Sequence, residues 1–209
     1  MTSDAAFELL ETLALDHGTL RHAGAHLARL AGGAAHFGYP FDAARIQAAL
    51  QATRDAHAQG LWRVRLLLDA QGAPQVQAFA MDPPPPRVRL QLAPLAFAEA
   101  RSDFSRFKTT RRAHYEAFAP TAEGVFDTLL WNAEGEITEC TRGNIALQLE
   151  DGRWVTPPLQ CGLLNGIGRA ERLRNGELHE AVVRVQDLPR VQALAFVNSL
   201  RGWLPADLA

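Results

Sequence analysis

Four consecutive prolines, Pro83 to Pro86, follow Asp82. Proline fixes its own φ and has no amide hydrogen, so such a run can continue neither a helix nor a central strand and favours an extended, stiff connector. The 209-residue chain is therefore expected to fold as two structured halves, a small domain over 1–82 and a larger one over 88–209, joined by a linker over 83–87. A ligand for an aromatic groove is the other use of a proline run, but structured sequence on both sides favours the linker.

The first half carries the signals of an α/β unit. Residues 7–16 are apolar enough for a strand and precede a turn at His17-Gly18. From Arg21 to Phe37, Leu27, Leu30, Ala34 and Phe37 recur at helical spacing until Gly38-Tyr39-Pro40 stops the pattern. Asp42 is a suitable N-cap for a second helix through Ile46 and Leu50 toward Gly60. Leu61–Asp69 and Gln75–Ala80 read as a hairpin about Ala70–Ala73.

The second half is richer in strands. Val88–Leu95, Phe126–Trp131, Glu136–Thr138, Ile145–Leu149, Trp154–Thr156, His179–Val185 and Ala193–Val197 are the expected strands, with Asn198 to Gly202 closing the series. Turns are expected at 132–135 and at Asp151-Gly152, and one helix over Gly166 to Arg174.

Composition narrows the function. With 47% hydrophobic residues there is material for a real core, and a net charge of −2 argues against a basic surface for nucleic acid or anionic membrane. Apolar runs such as Leu66–Leu68 fall far short of a membrane span, and residues 1–6 show no basic leader, so the expectation is a soluble, cytoplasmic protein. Cys140 and Cys161 are the only cysteines and lack metal or redox spacing; no metal site is expected.

The basic residues are unequally divided. Of 21 lysines and arginines, only Lys108 is a lysine. Arginine solubilises a surface well but cannot lose a proton and attack a carbonyl, so a lone lysine marks a candidate for imine chemistry. A chance solvated lysine is the alternative. Lys108 lies in FKTTRRAHYE, where the following guanidinium groups would disfavour its protonated form.

Two further segments suit chemistry. Glu139-Cys140-Thr141-Arg142-Gly143-Asn144 lies between expected strands, where a carboxylate at a strand end could hold a heteroaromatic nitrogen protonated. Gly162 to Arg169 is a glycine-rich approach to a helix, a phosphate cradle in principle, without the P-loop Lys-Ser/Thr or the G-x-G-x-x-G order.

Together with T-P-P-L-Q-C-G-L-L-N-G-I-G-R at Thr156–Arg169, N-S-L-R-G at Asn198–Gly202, and FELLETL and HLARLAGGAAHFGYPFD in the first half, these segments resemble the class IV aminotransferases, pyridoxal-phosphate enzymes of fold type IV. Within that family the K-T-T-x-R-x-x-Y and N-S-L-R-G-W patterns are most similar to the aminodeoxychorismate lyase branch. The resemblance covers nearly the whole chain. It implies a D-amino acid aminotransferase-like α/β fold, with a small N-terminal α/β domain and a larger β-rich C-terminal domain that carries the lysine. It also implies pyridoxal 5'-phosphate as cofactor and a homodimer with the site between the two halves.

The resemblance further implies residue roles. Lys108 would carry the cofactor and act as acid and base. Glu139 would pair with the pyridine nitrogen, and Arg29, Asn144, Ile167, Gly168 and Ser199 would hold the phosphate. Thr12 would stand near the reacting carbon. Arg106, Arg111 and Arg201, with Tyr115, are candidates for the substrate. The implied reaction is cleavage of 4-amino-4-deoxychorismate to 4-aminobenzoate and pyruvate in folate synthesis. The rivals are a branched-chain or D-amino acid aminotransferase, or a non-catalytic module docking to a synthase.

The sequence also departs from the family. Ala113 stands five residues after Lys108, where many members have tyrosine, and Gly168 replaces a usual threonine. Six residues precede the first expected strand, where relatives have an opening hairpin.

Overall fold

The structure, a computed structural model, describes residues 7–209; the leader expectation at residues 1–6 falls outside them. The chain forms two compact units. One comprises the described residues up to Pro83 together with Phe107–Arg111, the other Pro84–Arg106 together with Arg112–Ala209.

The first unit is a four-stranded antiparallel sheet with two helices. Its elements are β1 (Leu9–Asp16), β2 (Thr19–Leu20), α1 (Ala23–Phe37), α2 (Ala43–Ala56), β3 (Leu61–Leu68) and β4 (Pro74–Ala80), and the strand order is β2-β1-β3-β4. The turn after β1 uses His17 and Gly18, both at positive φ. Gly38, at φ 72°, ends α1 by donating its N–H to the Ala34 carbonyl, a left-handed cap that glycine adopts without strain. The Asp42 carboxylate accepts from Arg45 N–H at 3.0 Å and starts α2.

On β1 the two-residue strand period sends Leu9, Leu13 and Leu15 into a core with Leu30 and Ala34 of α1, Ile46 and Leu50 of α2, and Val64, Leu66 and Leu68 of β3.

Phe107–Arg111 belongs to this unit because it pairs with the start of β1. Thr109 bridges Leu9, the Leu10 N–H donates to the Lys108 carbonyl at 2.9 Å, and the Thr110 N–H donates to the Glu8 carbonyl at 2.9 Å. The Thr110 hydroxyl accepts from the Glu8 N–H in return. Phe107 stacks on His36 of α1 at 4.2 Å between centroids. The lysine is thereby tied to the first unit, although its neighbours in sequence on both sides fold with the second.

The second unit comprises β5 (Val88–Leu92), α3 (Asp103–Arg106), α4 (Ala113–Glu116), β6 (Asp127–Trp131), β7 (Ile137–Cys140), β8 (Asn144–Gln148), β9 (Trp154–Thr156), α5 (Ile167–Arg174), β10 (His179–Glu180), β11 (Ala193–Asn198) and β12 (Gly202–Leu208). Its eight strands are ordered β10-β9-β8-β11-β12-β5-β6-β7 in a curled sheet. A tight turn at Thr141-Arg142, closed by pairing of Cys140 with Gly143, returns β7 to β8. The main core gathers Leu90, Leu129, Ile137, Ile145, Val155, Phe196 and Leu204, and both cysteines are free and buried.

Two expectations for the second unit change. The strand over His179–Val185 is reduced to His179–Glu180, because the Arg184 N–H donates to the Asp187 carboxylate at 2.9 Å and starts a short 3-10 helix over Val185–Arg190. β12 lies beyond the expected end of the series, antiparallel to β11 and parallel to β5. Pro205 fits within it because pairing with β5 begins only at Ala206, so its missing N–H is not demanded there. No helix among the described residues is long and apolar enough to cross a membrane.

Candidate active site

In the first unit the candidate groups are Lys108, Thr12, Arg29 and Arg111. Lys108 is half-buried on the segment that Thr110 clamps to β1. Thr12 is half-buried on the face of β1 opposite Leu9, Leu13 and Leu15, and pairs across to Arg65 of β3. Arg29 projects from α1 and its side chain is 16% exposed; Nε and Nη2 donate to the two carboxylate oxygens of Glu11 at 2.7 and 2.6 Å. Arg111 is exposed.

The second unit holds the acid. Glu139 lies on β7, 3% exposed. Its Oε1 accepts from the Tyr115 hydroxyl at 2.7 Å and its Oε2 from the Leu164 N–H at 3.1 Å. Each carboxylate oxygen of this buried side chain thus has a hydrogen-bond donor.

Tyr115, expected to contact substrate, is itself only 6% exposed, and its phenol is committed to Glu139. Its ring stacks on Phe97 at 5.2 Å, and the Arg112 guanidinium carbon lies 4.4 Å from the ring centre. Burial, and then the Glu139 charge, push the Tyr115 phenol well above its ordinary range, so it serves as a donor. The structure thus turns the Tyr115 hydroxyl inward onto the Glu139 carboxylate, because α4 packs the side chain there.

The glycine-rich segment is held by side chains on the neighbouring strands. Asn144 Nδ2 donates to the Leu164 carbonyl at 2.9 Å, and Asn144 sits against Gly166, where a Cβ would collide with the amide. The first helical bond of α5 runs from Ala170 N–H to Gly166 O at 2.9 Å, so the N–H groups of Ile167, Gly168 and Arg169 have no acceptor inside the helix. A Cβ on Gly168 would stand 2.8 Å from the Asn198 carbonyl carbon and 3.1 Å from Ser199 N. Ile167, Gly168 and Ser199 therefore meet at the positive end of α5, with the Asn144 side chain securing the approach.

Of the candidate arginines in this unit, Arg106 is exposed at the end of α3, and Arg201 is half-buried with its guanidinium carbon 6.0 Å from the Phe126 ring centre.

Three polar groups that shape these sites were not singled out in the sequence. Glu11 binds both His26 and Arg29 within the first unit. In the second unit Asp127, fully buried, accepts from Thr141 N–H at 3.2 Å, from the Thr141 hydroxyl at 2.6 Å and from Arg142 N–H at 3.1 Å, and so shapes the turn that follows Glu139. Glu11 had a readable signal, being the one acid among the inward positions of an apolar strand. Asp127 had none, since an acid at a strand start is ordinarily solvated.

The first unit thus carries a half-buried lysine, and the second, by itself, a buried carboxylate held by hydrogen-bond donors and a helix N-terminus with no room for a Cβ. The class IV amino-transferase family model matches residues 8–208, and the chain belongs to that family. Its members work with pyridoxal 5'-phosphate, and the residue types present suit that group: a lysine amine for an aldehyde, a buried carboxylate for a ring nitrogen, and unpaired helix N–H groups for a phosphate.

The chain is 36% identical to a provisionally named amino-acid aminotransferase from Mesorhizobium loti, with a TM-score of 0.90, covering 97% of this chain and 100% of that one. A provisionally named aminodeoxychorismate lyase from Schizosaccharomyces pombe is 37% identical over 78 residues, 36% of this chain, and the match spans only 33% of that relative. The 4-amino-4-deoxychorismate lyase from Pseudomonas aeruginosa shares the fold, with a TM-score of 0.78 at 24% identity over 96% of this chain and 82% of that one.

Proposed function

We propose that the chain is a pyridoxal-phosphate lyase that splits 4-amino-4-deoxychorismate into 4-aminobenzoate and pyruvate, working in the cytoplasm as a homodimer. The observation that carries this reading is the Tyr115–Glu139 hydrogen bond. The lyase-like spacing K-T-T-x-R-x-x-Y puts its tyrosine seven residues after the lysine, and here that tyrosine secures the carboxylate meant for the ring nitrogen.

Pyridoxal phosphate, when bound, supplies an aldehyde that captures amines and a ring that accepts electrons. The Lys108 amine would hold that aldehyde and, once the substrate amine replaces it, take the proton from the ring carbon bearing nitrogen. Loss of that proton and departure of the enolpyruvyl group leave an aromatic ring, with pyruvate as the other product. Glu139 would keep the ring nitrogen protonated. The N–H groups of Ile167 and Gly168, the Ser199 hydroxyl and the Arg29 guanidinium would take the phosphate. Arg106, Arg111 and Arg201 would meet the carboxylates of the substrate.

A second reading, an aminotransferase, is favoured by the 36% identity to the Mesorhizobium loti protein along 97% of the chain. The purified protein is incubated with aminodeoxychorismate and, separately, with an amino acid and a keto acid. The proposal expects 4-aminobenzoate and pyruvate in equal amounts from the first and no amino-group exchange in the second. Exchange without 4-aminobenzoate would replace the lyase by the transferase, and a protein that stays colourless with pyridoxal phosphate would remove both.

A further inference from the structure

Glu11 stands where an apolar residue is expected. It shares the inward face of β1 with Leu9, Leu13 and Leu15 and is 1% exposed. A carboxylate in such a layer is costly unless it is paired and hydrogen-bonded. Both of its oxygens are engaged: Oε1 accepts from Arg29 Nε at 2.7 Å, and Oε2 accepts from Arg29 Nη2 at 2.6 Å and lies 2.6 Å from His26 Nδ1. His26 and Arg29 are three residues apart on α1, so one helical turn delivers both to a single strand position.

The two ends of this cluster differ in exposure. His26 is fully buried, and its Nε2 has no hydrogen-bond partner among the described residues. The Arg29 side chain keeps 16% of its surface in contact with solvent. Glu11 grips the guanidinium along one edge, through Nε and Nη2, which fixes both the plane and the rotation of the fork. His26 in turn fixes the carboxylate.

We infer that Glu11, braced by His26, is a positioning residue for a phosphate monoester: it holds the Arg29 guanidinium in the single orientation from which Arg29 selects the phosphorylated cofactor over its unphosphorylated form. This rests on the reading of Arg29 as a phosphate ligand. An arginine tethered only by its own flexible stem would have to lose rotamer freedom each time a phosphate binds, whereas one locked by Glu11 has lost it on folding. Glu11 does not touch the ligand. An amide in its place can accept from only one of the two guanidinium donors and turns its own N–H₂ toward the other donor or toward His26.

The test compares two probes, pyridoxal 5'-phosphate and pyridoxal, each titrated into the full chain freed of bound aldehyde and followed by visible absorbance. A role confined to stability would weaken both probes together. Glu11→Gln is expected to bind pyridoxal within about twofold of the unaltered chain and pyridoxal phosphate roughly tenfold or more weakly. Arg29→Gln should remove the same preference. If Arg29→Gln keeps the preference for the phosphate, the phosphate role of Arg29 falls and the inference with it. If Arg29→Gln loses the preference while Glu11→Gln keeps it, or weakens both probes equally, the inference alone is overturned. Should Glu11→Gln fail to fold, Glu11→Asp retains the charge but withdraws it by one methylene. Several-fold loss of the preference is then expected, and an unaltered preference overturns the inference.

Discussion

The phenol of Tyr115 donates to the Glu139 carboxylate at 2.7 Å with both residues buried, at 6% and 3% exposure. A buried acceptor that loses such a donor keeps its desolvation without compensation, at about 1–3 kcal/mol. Tyr115→Phe should therefore lower Tm by several degrees, at about 2–4 °C per kcal/mol for a chain of this size. It should also weaken cofactor binding while leaving Lys108 able to capture the aldehyde. Thermal melts with and without pyridoxal phosphate check this, and an unchanged Tm would show that the bond contributes nothing.

The Glu11 cluster has a signature in acid. Burial raises the Glu11 carboxyl, but the Arg29 charge, the Arg29 hydrogen bonds and the His26 contact together outweigh it and hold the group at about 2, against an ordinary value of 4.5. A carboxyl depressed in the folded state adds stability that is complete above the unfolded value and lost as pH falls through the folded one. The loss should run from about pH 4.5 down to about pH 2 and amount to roughly 3 kcal/mol. Urea melts across that range should show a flatter pH dependence for Glu11→Gln than for the unaltered chain. Parallel curves would mean that the carboxyl is not held down.

Two glycine-to-alanine changes should move stability in opposite directions. At Gly168 the new Cβ meets main-chain atoms of Asn198 and Ser199 at 2.8–3.1 Å, and main chain cannot swing aside. Overpacking of this kind costs about 1–3 kcal/mol, more than the better helix propensity of alanine returns. Gly32, in α1, has nothing within 4 Å of a Cβ, so Gly32→Ala should gain up to about 1 kcal/mol. Paired denaturation curves check both, and cofactor titration should find only Gly168→Ala weakened.

The strands and helices of the first unit were largely legible because local signals there agree with packing. Asp42 caps α2, Gly38 stops α1 and the Leu9–Leu13–Leu15 face pairs with helical periodicity in α1. β12 was not legible, since Pro205 and Asp207 argue against a strand and only its neighbours β11 and β5 make it one. Nor could sequence order show that Phe107–Arg111 leaves its flanking residues to join the start of β1, a pairing of residues 100 to 102 positions apart in the chain. In the candidate site, Lys108 and Glu139 stood out by residue type and motif. The Tyr115–Glu139 and Glu11–His26–Arg29 contacts could not, because each depends on which way a buried side chain faces.

Lys108, the one lysine among 21 basic residues, is the amine proposed to bear the cofactor. Borohydride reduction of the protein loaded with pyridoxal phosphate, followed by peptide mapping, tests that role most directly. A single stably modified peptide containing Lys108 is expected, absent in a folded Lys108→Arg variant that also fails to turn over substrate. A modified peptide lacking Lys108, or undiminished turnover by Lys108→Arg, would contradict it.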